Sequence, residues 1–178
     1  MAEPVRIKEI PENELTPEQS KVFKDLVAGR GRLLTPYKIW IHSPQLAAGM
    51  ETIGTFLNKK SSLSEREVEL TICIIANHWK GEYVWTVHAK TCVDLGMSPA
   101  IFEAIRAGRE PTFDNERERA VYEFSKISME PGGGSDEVFA RAEKLLGRNG
   151  MAEVLVLLGY YSSVSMGMKL HRIPVPGK

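Results

Sequence analysis

The sequence predicts an all-α protein of about seven or eight helices. Three observations carry that expectation. Apolar residues recur at helical spacing over most of the 178 residues. Cap-plus-proline pairs and single glycines punctuate the ends of those runs. No alternating, strand-like stretch exceeds a few residues, and no internal repeat survives counting. At this length one domain can bury a real core. Residues 1–15 read as an N-terminal extension and residues 16–178 as a single helical domain.

Taken in order, Thr16-Pro17-Glu18-Gln19 supplies an N-cap, a proline at the first helical position and an acidic first turn. The helix it opens carries Val22, Phe23, Leu26 and Val27 and ends at Gly29, leaving Gly29 to Pro36 as a loop. Ser43, before Pro44, caps the next helix, whose apolar stripe is Leu46, Met50, Ile53, Phe56 and Leu57. Ser64 caps a third helix, with Glu67 three residues later and Leu63 placed to staple. Its residues Val68, Leu70, Ile72, Ile74 and Ile75 spread round much of the circumference, so it is expected at the centre of the core.

Gly81 interrupts, a helix follows from about Glu82 to Leu95, and Gly96 stops it. Ser98-Pro99 opens a short helix ending near Gly108. Asp114 to Met129 is helical, with Ala120, Val121, Phe124 and Ile127 on one side. Within it, Glu116-Arg117-Glu118-Arg119 is expected as a solvated face. Pro131-Gly132-Gly133-Gly134 joins two helices and lacks the lysine of a phosphate-cradling loop, so it reads as a connector. Ser135-Asp136-Glu137 opens a helix to Gly147, and a last helix runs from about Gly150 to Leu170.

Lys+Arg and Asp+Glu are both 23, so the net charge is zero and no basic face is implied for nucleic acid or anionic lipid. Zero net charge leaves self-association unopposed, and Trp40 is expected at the surface. Met1 to Asn13 is polar, without the apolar core of a signal peptide, and the most apolar stretch, Met151 to Leu158, is too short to span a bilayer. The expectation is a cytoplasmic protein with neither a membrane nor a nucleic-acid partner. Cys73 and Cys92 make no disulfide framework and are expected as reduced thiols.

The informative stretch is Glu69 to Gly96. Helical steps of three, four and seven put Gly81, Val84 or Trp85, His88 and Cys92 along one stripe, and Glu69 and Cys73 are likewise four apart. If the two helices pack antiparallel, Glu69 can approach His88. A carboxylate beside an imidazole fixes its tautomer and supports a protonated ring, as a proton donor near neutral pH requires. A paired Glu and His on packed helices can equally be structural. Cys73 and Cys92 could form a displaced thiol pair, but their apolar neighbours favour inert, buried thiols. His78, His88, Glu69 and Glu82 lack a metal-ligand spacing, so no metal is expected. Met50, Met151, Met166 and Met168 read as core filler, and His171 suits a helix C-terminus.

Glu69, eleven residues, Gly81, two residues, Val84, three residues and His88 reproduce the spacing of the AhpD signature E-x11-C-x2-C-x3-H, with both cysteine positions replaced. Glu82-Tyr83-Val84-Trp85-Thr86-Val87-His88 resembles the E-Y-E-W-x-x-H segment of the carboxymuconolactone decarboxylase branch. Gly96-Met97-Ser98 and Gly159-Tyr160-Tyr161 also sit where that branch has similar residues. From about Pro36 to Leu170 the chain thus resembles the carboxymuconolactone decarboxylase/AhpD-like superfamily, in a branch without the cysteine pair.

The resemblance implies an AhpD-like antiparallel helical bundle that self-associates as a trimer or hexamer, with sites near subunit contacts. It implies a small carboxylated lactone as substrate and no metal or organic cofactor. Loss of carbon dioxide would leave an enolate-like species that an acid must protonate. His88 matches the family histidine and would carry the proton; Glu69 matches the family glutamate and would orient it. Tyr83 and Trp85 would shape the pocket, with Glu82 and Tyr161 as further substrate contacts. Val84 departs from the pattern: a valine can neither donate a proton nor attack a peroxide. Two rival classes stand beside the decarboxylase-like enzyme, namely a peroxide or disulfide reductant with unconventional cysteines and a non-catalytic helical oligomer that binds a small molecule.

Overall fold

The computed structural model describes residues 4–177, all of whose regular elements are helical. Residues 1–3, where the polar N-terminal stretch begins, and residue 178 lie outside the described residues, as do the side chains at 29 and 30. After a short 3-10 helix, Glu12–Glu14, eight α-helices follow: α1 (Pro17–Arg30), α2 (Thr35–Trp40), α3 (Pro44–Lys59), α4 (Glu65–His78), α5 (Glu82–Asp94), α6 (Pro99–Arg106), α7 (Glu116–Ser128) and α8 (Asp136–Leu170).

Three of the local start signals act as the sequence predicts. Thr16 and Gln19 form a reciprocal capping box at α1, Ser64 and Glu67 another at α4, and Ser135 accepts from the Val138 amide at α8. Asn115 caps α7, while Ser43 and Ser98 take the cap position of α3 and α6 without a side-chain hydrogen bond. The expected break at Gly147 is a kink inside α8, where φ is 70° and ψ is 168°. Gly132, Gly133 and Gly134 all have positive φ, so the connector can turn where a Cβ could not.

α4 is the central element. Every residue from Glu67 to Ala76 is buried, and the helix touches α3, α5, α6, α7 and α8. α8 is long and apolar enough to cross a membrane, but half of its apolar window is buried inside the fold, where it packs on α4, α5 and α7. A buried carboxylate ties α8 to the entry of α4. Glu153 accepts from both the Ser61 and Ser62 hydroxyls, from the Ser62 amide and from Asn149. Burial pushes this carboxyl up, but those hydrogen bonds outweigh it and hold the group below the usual glutamate range.

Six expectations are corrected. α1 continues past Gly29 to Arg30, because Gly31, at φ 71°, provides the left-handed cap. The loop expected from Gly29 to Pro36 is shorter, since Thr35-Pro36 starts α2; six residues are too few for apolar periodicity to register. Trp40 on α2 is 8% exposed, wedged between the rings of Tyr37 and Tyr160. α3 packs through Ala47, Gly54 and Leu57, so Leu46, Ile53 and Phe56 of the apolar stripe face outward, as does Met166 on α8. The Glu116–Arg119 run is a solvated face only at Glu116 and Arg119: Glu118, 3% exposed, accepts from Arg66, and Arg117 reaches buried Glu67 at 2.8 Å. The alternation of charge aims these side chains at the complementary pair on α4, which no local pattern reveals.

Candidate active site

The turn between α4 and α5 brings the site together. Lys80 takes a left-handed conformation, φ 54°, and the Gly81 amide donates to the Ala76 carbonyl at 2.8 Å. This reverses the chain within three residues and lays α5 on α4. Glu69 Oε2 then lies 2.7 Å from His88 Nδ1. Glu69 is 9% exposed and His88 is half-buried. An ionised carboxylate only accepts, so Nδ1 carries the hydrogen and Nε2 is the nitrogen left to serve a ligand.

His88 opens into a cleft of about 620 Å³ walled by α2, α5, α8 and the segment between α1 and α2. Tyr83 and Val84 from α5 and Tyr161 from α8 line it beside His88. The Tyr161 ring meets the imidazole edge-on, with centroids 5.4 Å apart, and so limits its rotation. Tyr83 and Tyr161, two of the residues expected as substrate contacts, thus line the cleft.

Trp85 and Glu82 do not. One step along α5 from Val84 rotates a side chain by about 100°. Trp85 therefore faces away from the cleft, packed on Phe102 with the Arg106 guanidinium 4.6 Å from its ring centroid. Glu82 pairs with the same arginine. Both residues tie α5 to α6, and neither lines the cleft into which His88 opens. His78 is exposed and packs on Trp79, remote from the pair, and no group of three or more metal-ligating side chains occurs among the described residues.

Sequence reasoning missed the far wall. The hydroxyls of Tyr37 and Tyr160 lie 3.3 Å apart, and Arg32, Lys38 and Asn58 complete the rim. A glycine in mid-helix was the available signal. A Cβ at Gly54 would stand 2.5 Å from the Tyr160 hydroxyl, so only glycine leaves that ring its place.

The two positions replaced in the cysteine signature have physical consequences. A Cβ at Gly81 would lie 2.9 Å from the Ser165 Cβ on α8, so the room for a first cysteine is already filled. Val84 presents a hydrocarbon wall and is 2% exposed. The other thiols meet elsewhere. Cys73 and Cys92, one turn beyond Glu69 and His88, have their sulfurs 3.8 Å apart and are fully buried. α4 and α5 are thus joined by two side-chain contacts, one polar and one between sulfurs. Burial, then the neighbouring Cys92, pushes the Cys73 thiol well up, which keeps it protonated and unreactive.

No family model matches the sequence, and no curated protein matches it. Solved structures do. The alkylhydroperoxidase AhpD core of a peroxidase-related protein from Ralstonia eutropha JMP134 aligns over 99% of this chain and 95% of its own, with a TM-score of 0.73 at 9% identity. A peroxidase-related protein from Silicibacter sp. TM1040 aligns over 98% and 94%, with a TM-score of 0.71 at 15% identity. The debrominase Bmp8, in complex with 2,3,4-tribromopyrrole, aligns over 99% and 95%, with a TM-score of 0.69 at 13% identity. With an all-helical chain matched from end to end, the protein has an AhpD-like helical fold.

Proposed function

We propose that this protein is a cofactor-free acid/base catalyst acting on a small carboxylated lactone or a related carbonyl acid. The observation that carries the reading is the 2.7 Å contact between Glu69 and His88 at the wall of a cleft large enough for such a substrate. Glu69 holds the imidazole by Nδ1 and balances its charge, and Nε2 delivers a proton to the electron-rich carbon left by loss of carbon dioxide. Tyrosine hydroxyls around the cleft stabilise the developing oxyanion. Val84 supplies no acid, so His88 is the sole proton carrier in this scheme. The peroxide-reducing alternative is disfavoured by the filled space at Gly81 and the buried, protonated Cys73.

The protein would act in the cytoplasm as a trimer or hexamer, with neither nucleic acid nor membrane as partner. Outward-facing Leu46, Ile53 and Phe56 on α3, and Leu155, Val156 and Leu170 on α8, support self-association. The test is carbon dioxide release from a panel of small carboxylated lactones and β-keto acids. Wild type should turn over at least one member and His88→Ala none, with unchanged circular dichroism. Equal turnover by the two proteins would remove His88 from the chemistry.

A further inference from the structure

The charges around the cleft are unequal in a way that specifies the ligand. Among the described residues that line it, Arg32 and Lys38 are cationic and none is an aspartate or glutamate. Glu69 stands behind His88 and offsets only the imidazole. Lys38 is already taken: its ammonium lies 2.7 Å from Glu9, carried by the N-terminal segment. That segment is held in place, with the Lys8 carbonyl on His42 Nε2 at 3.0 Å and the Arg6 amide on the His171 carbonyl at 2.9 Å. Arg32 has no carboxylate partner among the described residues. It follows directly on Gly31, whose left-handed backbone ends α1 and turns the chain onto the rim of the cleft.

We infer that the cleft selects a small, flat organic monoanion, that Arg32 is the residue that holds its carboxylate, and that Glu9 silences Lys38. The inference deepens the acid/base reading of the same site and rests on it for where the ligand lies. A guanidinium offers parallel N–H donors that match a carboxylate, whereas the charge of an ammonium bonded to Glu9 is offset by that carboxylate. The rings of Tyr37, Tyr83, Tyr160 and Tyr161 supply flat walls suited to a planar, conjugated acid. Two unpaired cations would favour a dianion; the Glu9–Lys38 pair leaves one.

The experiment is calorimetric titration of the full chain with benzoate, its neutral isostere benzamide and the dianion phthalate at fixed salt. Wild type should bind benzoate at least about tenfold more tightly than benzamide, the discrimination a charge-assisted pair provides. Arg32→Gln should weaken benzoate about tenfold and leave benzamide unchanged, and Arg32→Lys should recover part of the loss. Lys38→Gln should leave benzoate within about twofold, while Glu9→Gln should tighten phthalate several-fold by releasing Lys38. The inference is overturned if neither acid binds, if benzoate and benzamide bind alike, or if Arg32→Gln binds benzoate as wild type does. It is also overturned if Lys38→Gln costs as much as Arg32→Gln, or if Glu9→Gln leaves phthalate unchanged. Binding is read without turnover, so a failure here is separable from a failure of the His88 chemistry.

Discussion

The hydroxyl of Tyr160 occupies the space that a side chain at Gly54 would need, 2.5 Å from where its Cβ would stand. The ring cannot easily yield, because it packs on Trp40 and Tyr161 and its oxygen meets that of Tyr37. Gly54→Ala should therefore push Tyr160 into the cleft and destabilise the fold by about 1–3 kcal/mol, the usual cost of overpacking. Tyr160→Phe in the same chain should recover part of that loss. Urea unfolding of the three proteins measures both effects, and a neutral Gly54→Ala would show that the contact is not tight.

The Glu69–His88 pair should behave as one unit. Removing either side chain should lower turnover by about 100- to 10,000-fold, the range for a general acid or base. The double variant should be scarcely worse than His88→Ala alone, because residues acting together are non-additive. Glu69→Gln should also lower stability, since Glu69 is buried against the imidazole. Kinetics and thermal melts on the single and double variants supply the cycle; multiplicative losses would mean independent roles.

Thiol chemistry should be absent from the native state. With both sulfurs buried, a thiol-specific reagent should label Cys73 and Cys92 only after denaturation. Peroxide consumption should be negligible for the same reason. Gly81→Cys should destabilise by about 1–3 kcal/mol through contact with Ser165, and Ser165→Gly should relieve it. Fast native labelling, or peroxide turnover abolished by Cys73→Ser, would promote the redox reading.

Glu153 should make stability depend on acid. Its folded-state pKa lies below the unfolded value, so the folded protein binds fewer protons than the unfolded chain in that range. The stabilisation is complete above about pH 4.3, the ordinary glutamate value, and is lost as pH falls through the lower folded value. Glu153→Gln should thus be less stable than wild type at pH 7, with the gap narrowing below pH ~4. Unfolding curves at both pH values decide it; a constant gap would assign the effect to packing.

Self-association should appear in light scattering as a multiple of the 19.9 kDa chain. Phe56→Lys and Leu155→Lys, on the outward faces of α3 and α8, should lower the mass while leaving the helical content unchanged. A single species near the chain mass in wild type would end the proposal.

The sequence by itself determined where most helices begin and end, because caps, prolines and glycines act on backbone groups only a few residues away. Thr16 with Gln19, Ser64 with Glu67, and the break at Gly147 are of this kind. It also determined that Glu69 and His88 could meet, since one turn links two helices whose spacing places both residues inward. Only the tertiary structure decided which faces are covered. α3 turns Leu46, Ile53 and Phe56 outward because Ala47 and Gly54 permit the closer approach. Trp85 leaves the cleft to Tyr83 because Arg106 and Phe102 claim it. Tyr37 and Tyr160 meet across 123 residues. Burial and charge pairing depend on what arrives from elsewhere in the chain, and that information is carried by no local run of residues.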